Sequence, residues 1–149
     1  MQIKEKKLEY CIYCDDFRTY SVKASKERIQ VKELFVDCIR HRAFCDVCGK
    51  PIYVKSLSLV DHHAEFEEYK RIKGMVTSKE LVAFRKANGL TATGFSRALG
   101  LGDKTITRLE SGDIQSESVD MLLKYAMGRA KPLTRANSQK AKSGSLLAA

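Results

Sequence analysis

Apolar residues recur along this chain with two different periods. Up to about residue 60 they fall in short β-leaning runs, Arg18–Ala24, Ile29–Val36 and Ile52–Leu59. Val31, Leu34, Phe35, Ile52 and Val54 supply apolar partners for a small antiparallel sheet. Beyond residue 60 the period lengthens to that of a helix. Phe66, Tyr69 and Ile72 line one edge of a segment that Asp61 can cap and Gly74 can stop, which predicts a helix from Asp61 to about Lys73.

Four shorter helices are expected after it. Thr77 with Glu80 three residues on is a capping-box sequence, so the first runs over about Ser78–Asn88 with Leu81 and Phe84 inward. Thr91 can cap the second, with Phe95, Ala98 and Leu99 inward, and Gly100-Leu101-Gly102 is a turn. The third covers about Asp103–Ser111, burying Ile106 and Leu109, with Gly112 closing it. Ser116 can cap the fourth, whose inner stripe is Val119, Leu122, Leu123 and Ala126. The last stretch, Arg129–Ala149, has Pro132, several Ser and Lys, and little periodicity, the composition of a disordered tail.

Charge and cysteine separate the same two halves. Residues 1–70 carry a net +1 and residues 71–149 a net +8, while all five cysteines lie at or before position 48. A basic half points to a polyanion, with nucleic acid the first candidate; a solubilising surface is the plainer alternative. The longest apolar runs fall well short of the roughly 18 residues a membrane span requires. The charged opening MQIKEKKLEYC is unlike a secretory signal, so a cytoplasmic chain is expected. Half of 149 residues makes a marginal core unless something staples it.

The cysteines offer that staple. Cys11-Ile12-Tyr13-Cys14 and Cys45-Asp46-Val47-Cys48 are two C-x2-C pairs thirty residues apart, and two such turns present four thiolates as a tetrahedron, the arrangement Zn²⁺ prefers. Gly49 suits the second turn, and Asp15 makes the first less regular. A disulfide framework does not suit a reducing compartment. A redox pair lacks its βαβ setting. An iron centre would use the same ligands. Cys38 with His41 forms a rival C-x2-H pair, but the matched knuckles leave Cys38 as a packed free thiol. His62-His63 is expected to face solvent.

Two helices of about eight residues joined by a glycine-containing turn, with helices on either side, make a helix-turn-helix. Its second helix enters the major groove. Lys104, Thr105, Thr107 and Arg108 are the outward DNA-binding candidates there, with Lys104 and Arg108 at i and i+4 opposite Ile106 and Leu109. Lys and Arg suit guanine O6/N7 or phosphate, and Thr hydroxyls suit either. Asp103 is favourable charge at a helix start or an acceptor for cytosine N4. Glu110 is a structural partner for Arg85. A four-helix protein-interaction bundle is the alternative reading.

The stretch from Tyr69 to Tyr125 resembles the helix-turn-helix of Xre-type regulators, through Gly89-Leu90, Leu99-Gly100, Thr105-Ile106, Arg108, Glu110, Gly112, Ile114-Gln115 and Leu122-Leu123. With the two cysteine pairs ahead of it, about residues 10–126 are similar to the YgiT/MqsA-type zinc-finger antitoxins. The resemblance implies an α+β chain: a small zinc-bound antiparallel β domain (1–60), a helical linker (61–76), an all-α Xre-like helix-turn-helix domain (77–128) and a basic tail (129–149). It implies one zinc ion per chain and a homodimer formed mainly through the C-terminal domain. It also implies a palindromic double-stranded operator read by the third helix, with a toxin held by the zinc domain. Lys104 and Arg108 match the family's base-reading positions. Lys104 departs from the usual amide side chain, Ala92 from a phosphate-contacting Gln, and Gly94 sits inside a helix.

The function expected is a non-enzymatic, cytoplasmic, bacterial or phage-encoded transcriptional regulator, an antitoxin that represses its own operon. The alternative is an orphan or prophage regulator, or an adaptor, with no toxin. The ending Leu147-Ala148-Ala149 resembles a tag read by bacterial unfoldase proteases.

Overall fold

The computed structural model describes residues 7–130. It is an α+β structure: four antiparallel strands in the order β1-β2-β3-β4, followed by five helices. The strands are β1 (Leu8–Cys11), β2 (Asp16–Val31), β3 (Leu34–Cys45) and β4 (Pro51–Ile52). The helices are α1 (Lys55–Lys73), α2 (Ser78–Ala87), α3 (Ala92–Ala98), α4 (Thr105–Glu110) and α5 (Glu117–Ala126). The basic tail expected from 129 onward, including Leu147-Ala148-Ala149, lies outside the described residues beyond position 130.

β2 serves two partners in succession. Its first four residues pair with β1, from Asp16↔Cys11 to Thr19↔Leu8, and from Tyr20 onward it pairs with β3 down to Val31↔Leu34. The run Ile29–Val36, expected as one strand, is therefore the tip of a hairpin that reverses at Lys32-Glu33. No glycine or asparagine marks this turn; Lys32 takes a left-handed φ of 51°. Tertiary contacts hold it there. Tyr69 of α1 donates its hydroxyl to Glu33 at 2.8 Å, and Lys73 pairs with the same carboxylate at 2.7 Å. Lys73, the turn backbone and Tyr69 together hold the Glu33 carboxyl down at about 2.

The buried side of β3 changes halfway along. Val36 and Cys38 are buried, then Ala43 and Cys45, which have opposite parity. A two-stranded ribbon twists strongly, so one flank cannot stay inward over twelve residues. The first pair packs with Val31, Tyr69 and Met75; the second packs with Cys11, Ile52 and Val54. Phe35, expected inward, has the exposed parity. Between the two apolar clusters the strand carries Arg40 and His41, and α1 meets them with Glu65 and Asp61.

That explains the largest departure from expectation. β4 ends at Ile52, and the rest of the run to Leu59 opens α1. Asp61 does not cap this helix. It lies a turn and a half inside, buried, accepting from the His41 backbone N–H at 2.9 Å and from Nδ1 at 2.7 Å. Burial raises the Asp61 carboxyl, but the two His41 bonds outweigh it and leave it below the ordinary aspartate range. One turn on, Glu65 accepts from Arg40 at 2.7 Å. The expected boundary at residue 60 thus falls within a continuous helix.

The helical half follows the capping signals closely. Thr77 and Glu80 form both bonds of a capping box, and Thr91 and Ser116 cap α3 and α5. Its core joins Val76, Leu81, Phe95, Ile106, Leu109 and Leu123. Ala98, expected inward, is exposed; Ser96 is buried in its stead. The Ser96 hydroxyl accepts the Ile106 N–H at 3.1 Å and donates to the Ala92 carbonyl at 3.0 Å. It caps α4 from outside, because Lys104, at the N-cap, makes no side-chain capping bond. Ser96→Ala is expected to cost about 1–3 kcal/mol by stranding a buried N–H. Ser111→Ala, an exposed hydroxyl bonded to the Thr107 carbonyl, is expected to cost under about 0.5 kcal/mol. Equal losses in chemical denaturation would remove this role for Ser96.

Candidate functional site

Two places in the fold carry chemistry. The first is where the ends of the ribbon meet. Cys11 closes β1 and Cys14 follows in the turn to β2, while Cys45 closes β3 and Cys48 follows in the turn to β4. Because Cys45 pairs with Tyr20 and Cys11 with Asp16, both turns project from the same end of the sheet. All four sulfurs lie within 4.8 Å of one another, with Cys11 to Cys48 at 3.6 Å and Cys14 to Cys45 at 3.9 Å. Metal–sulfur bonds of about 2.3 Å in a tetrahedron set sulfur–sulfur edges of about 3.8 Å, so the cluster fits one metal ion.

Both turns need a left-handed residue after their second cysteine. Gly49 supplies it at φ 71° and Asp15 at φ 53°; aspartate is among the few side chains that visit this region readily. The second turn also points N–H groups of Val47 and Cys48 at Cys45 Sγ, at 3.4 and 3.5 Å. The Cys48 N–H is the largest of the influences that hold the Cys45 thiol down at about 7, nearer the thiolate a metal requires. In the first turn the Arg18 guanidinium lies beside Cys14 instead and acts to lower its thiol, while pairing with Asp16 at 3.0 Å. Burial and the neighbouring thiols still push Cys14 up to about 11. A divalent ion would leave four thiolates with excess negative charge, and Arg18 is placed to offset it.

Cys38 stands apart from this cluster. It is buried beside α1, with Sγ 3.9 Å from the Ala64 carbonyl, and burial raises its thiol above the ordinary value. Its rival partner His41 is bound to Asp61. His62 and His63 are both exposed, as expected.

The second place is the outer side of α4. Lys104, Thr107 and Arg108 are exposed, Thr105 is half-buried, and Ile106 and Leu109 face the core. The helix is shorter than expected: Asp103 lies in the preceding turn, where both its oxygens bind Arg97 at 2.9 Å. That pair neutralises Arg97, and Arg85 is held by Glu110 at 2.5 and 3.2 Å as the sequence suggested. Lys104 and Arg108 have no acidic partner among the described residues. Gly112, after α4, is buried at φ 117°, and a Cβ there would come within 2.5 Å of the His63 ring, so only glycine lets α1 approach this closely.

Sequence reasoning missed Ser96, Asp61 and the Arg97–Asp103 clamp. Each is a polar residue whose partner is distant along the chain or lies across a turn. No protein-family model, no curated protein and no solved structure matches this chain.

Removing the metal is expected to collapse the amide NMR dispersion of residues 8–52 while the α2–α5 signals persist, because the front core is small and the helical core has its own cluster. Cys45→Ala is expected to abolish metal retention and Cys38→Ala to preserve it. Metal loss in both variants, or in neither, would contradict the four-cysteine assignment.

Proposed function

We propose that this protein is a sequence-specific DNA-binding regulator whose metal module is structural and holds one zinc ion. The observation that carries the proposal is the exposed, unpaired pair Lys104 and Arg108 on α4. α4 is the second helix of a two-helix unit held by the buried Ser96 bond. In a helix-turn-helix reading, α4 enters the major groove. Arg108 and Lys104 meet guanine edges or phosphate, and Thr107 adds a hydroxyl at the same level. Thr105, half-buried, contributes at the rim.

The closed four-thiolate site leaves no position for substrate and suits zinc in a structural role, and iron would use the same ligands. Purified protein is expected to be colourless and to release one zinc per chain. Visible absorbance with iron in its place would overturn the zinc assignment.

The resemblance to zinc-finger antitoxins extends the proposal to a homodimer on a palindromic operator, with half-sites about 34 Å apart. Autorepression and capture of a toxin by the metal module belong to the same extension. Exposed Ile12, Tyr13, Phe17 and Tyr53 on that module, with Tyr53 73% accessible, support a protein partner there. That surface equally suits an orphan regulator or adaptor whose partner is not a toxin. Among the described residues no helix is long and apolar enough to cross a membrane.

The test is binding of operator against random DNA by Arg108→Ala. A base-reading Arg108 predicts a specific loss of about 1–3 kcal/mol with random binding nearly unchanged. Equal losses on both, with a reduced salt slope, would make Arg108 a phosphate contact, and no loss on either would remove α4 from the interface.

A further inference from the structure

The four sulfurs of the metal cluster differ in what reaches them and in what binds them. Cys11 is 0% exposed and Cys45 2%, Cys14 is half-buried and Cys48 is exposed. The turn around Cys48, residues 46–50, is exposed throughout, so a small solute meets this side of the cluster first.

The donors are just as uneven. Two backbone N–H groups are directed at sulfur, those of Val47 and Cys48, and both go to Cys45. The Arg18 guanidinium lies beside Cys14. Among the described residues no N–H group donates to the sulfur of Cys11 or Cys48. Donors draw charge from a thiolate and lower its nucleophilicity. With an ion bound all four cysteines are thiolates, so exposure and donors decide which one reacts. Both point to Cys48. The sulfur of Cys11, equally without a donor, lies 3.6 Å from it, a closer pair than Cys14 and Cys45 at 3.9 Å.

We infer that the cluster is an oxidation switch as well as a staple: Cys48 is the sulfur that a peroxide oxidises, and Cys11 closes on it as a disulfide, releasing the ion. The Cys48 thiolate attacks one peroxide oxygen, the O–O bond breaks, and Cys48 becomes a sulfenic acid as hydroxide leaves. The Cys11 thiolate then attacks the Cys48 sulfur and displaces a second hydroxide. The two sulfurs give up two electrons to the peroxide, and two protons from solvent turn both hydroxides into water. Cys14 and Cys45 alone are too few ligands to keep the ion. The new bond draws the sulfurs from 3.6 Å to about 2.05 Å and joins the same two turns, so the knuckles stay together and a thiol reductant restores the site. The inference rests on the zinc reading above, since zinc takes no part in electron transfer.

The test titrates the metal-loaded full chain with hydrogen peroxide. A chromogenic zinc chelator follows release, and peptide mass mapping locates the disulfide. One ion is expected to leave per peroxide consumed, with Cys11 joined to Cys48 and with Cys14, Cys38 and Cys45 still thiols. Dithiothreitol and added zinc are expected to reverse both changes. Cys48→His, which keeps a metal ligand and removes the exposed sulfur, is expected to slow release at least about tenfold, and Cys38→Ala to leave it unchanged. If Cys48→His fails to hold zinc, the disulfide map of the unmodified chain decides alone. A first disulfide between any other pair, prior oxidation of Cys38, release at an unchanged rate from Cys48→His, or no release would each overturn the inference. Iron in place of zinc shows as visible absorbance before peroxide is added, so failure of the zinc reading is seen separately.

Discussion

α1 has carboxylates and a lysine where a core helix would have leucines, and both halves of the molecule are tied to it through them. Asp61 and Glu65 meet His41 and Arg40 of β3. At the other end Lys70, 1% exposed, lies 3.8 Å from Glu67 and donates to the Ser78 hydroxyl at 3.3 Å. Ser78 in turn donates to the Leu109 carbonyl at 2.7 Å. Burial holds the Lys70 amine below its ordinary value, with Glu67, Asp113 and Asp120 opposing. Buried ion pairs of this kind add little net stability, because desolvation offsets most of the attraction. They do set geometry: a carboxylate one residue out of register has no partner, whereas a leucine would find other apolar neighbours. α1 is thereby placed both along the ribbon and against the end of α4.

The same polar seam explains what could be seen from the amino-acid order. The two C-x2-C pairs, the Thr77–Glu80 capping box, the Ser116 cap and the stripe through Leu123 were all legible, because each is a local pattern whose partners lie within a few residues. The start of α1 was not. Ile52–Leu59 has the length and apolar content of a strand, and the inward positions that follow are Asp61 and Glu65, which a search for apolar periodicity reads as solvent-facing. Phe66, Tyr69 and Ile72 suggested an edge, but only Tyr69 is fully buried and Ile72 is exposed. The hairpin reversal at Lys32 was hidden for a related reason. Its left-handed residue is a lysine, and what stabilises it is Tyr69 and Lys73, forty residues away in the chain.

The metal cluster and the α4 face illustrate the two kinds of site inference. Four cysteines in two tight turns were recognisable from their spacing as one possible metal site, and the fold brings their sulfurs together. The identity of Lys104 and Arg108 as outward residues followed from the burial of Ile106 and Leu109. That they are also free of acidic partners followed only in part: Glu110 turning to Arg85 was legible, Asp103 turning back to Arg97 was not. Those two clamps pair both arginines with acids, Arg97 while still exposed, and leave Lys104 and Arg108 on the α4 face without an acid among the described residues.

A six-residue helix is too short to persist by its own hydrogen bonds. α4 therefore owes its orientation to what holds each end. Ser96 takes the Ile106 N–H at its start, and Ser78 donates to the Leu109 carbonyl near its finish. Ile106 and Leu109 lock the rotation between them, since turning either outward would expose a core side chain and bury Lys104 or Arg108. The rigidity of the outward face is thus borrowed from two buried serines and from α1, the rod that also carries the metal module. α1 is joined to α4 by a continuous run of buried bonds, Lys70 to Ser78 to Leu109.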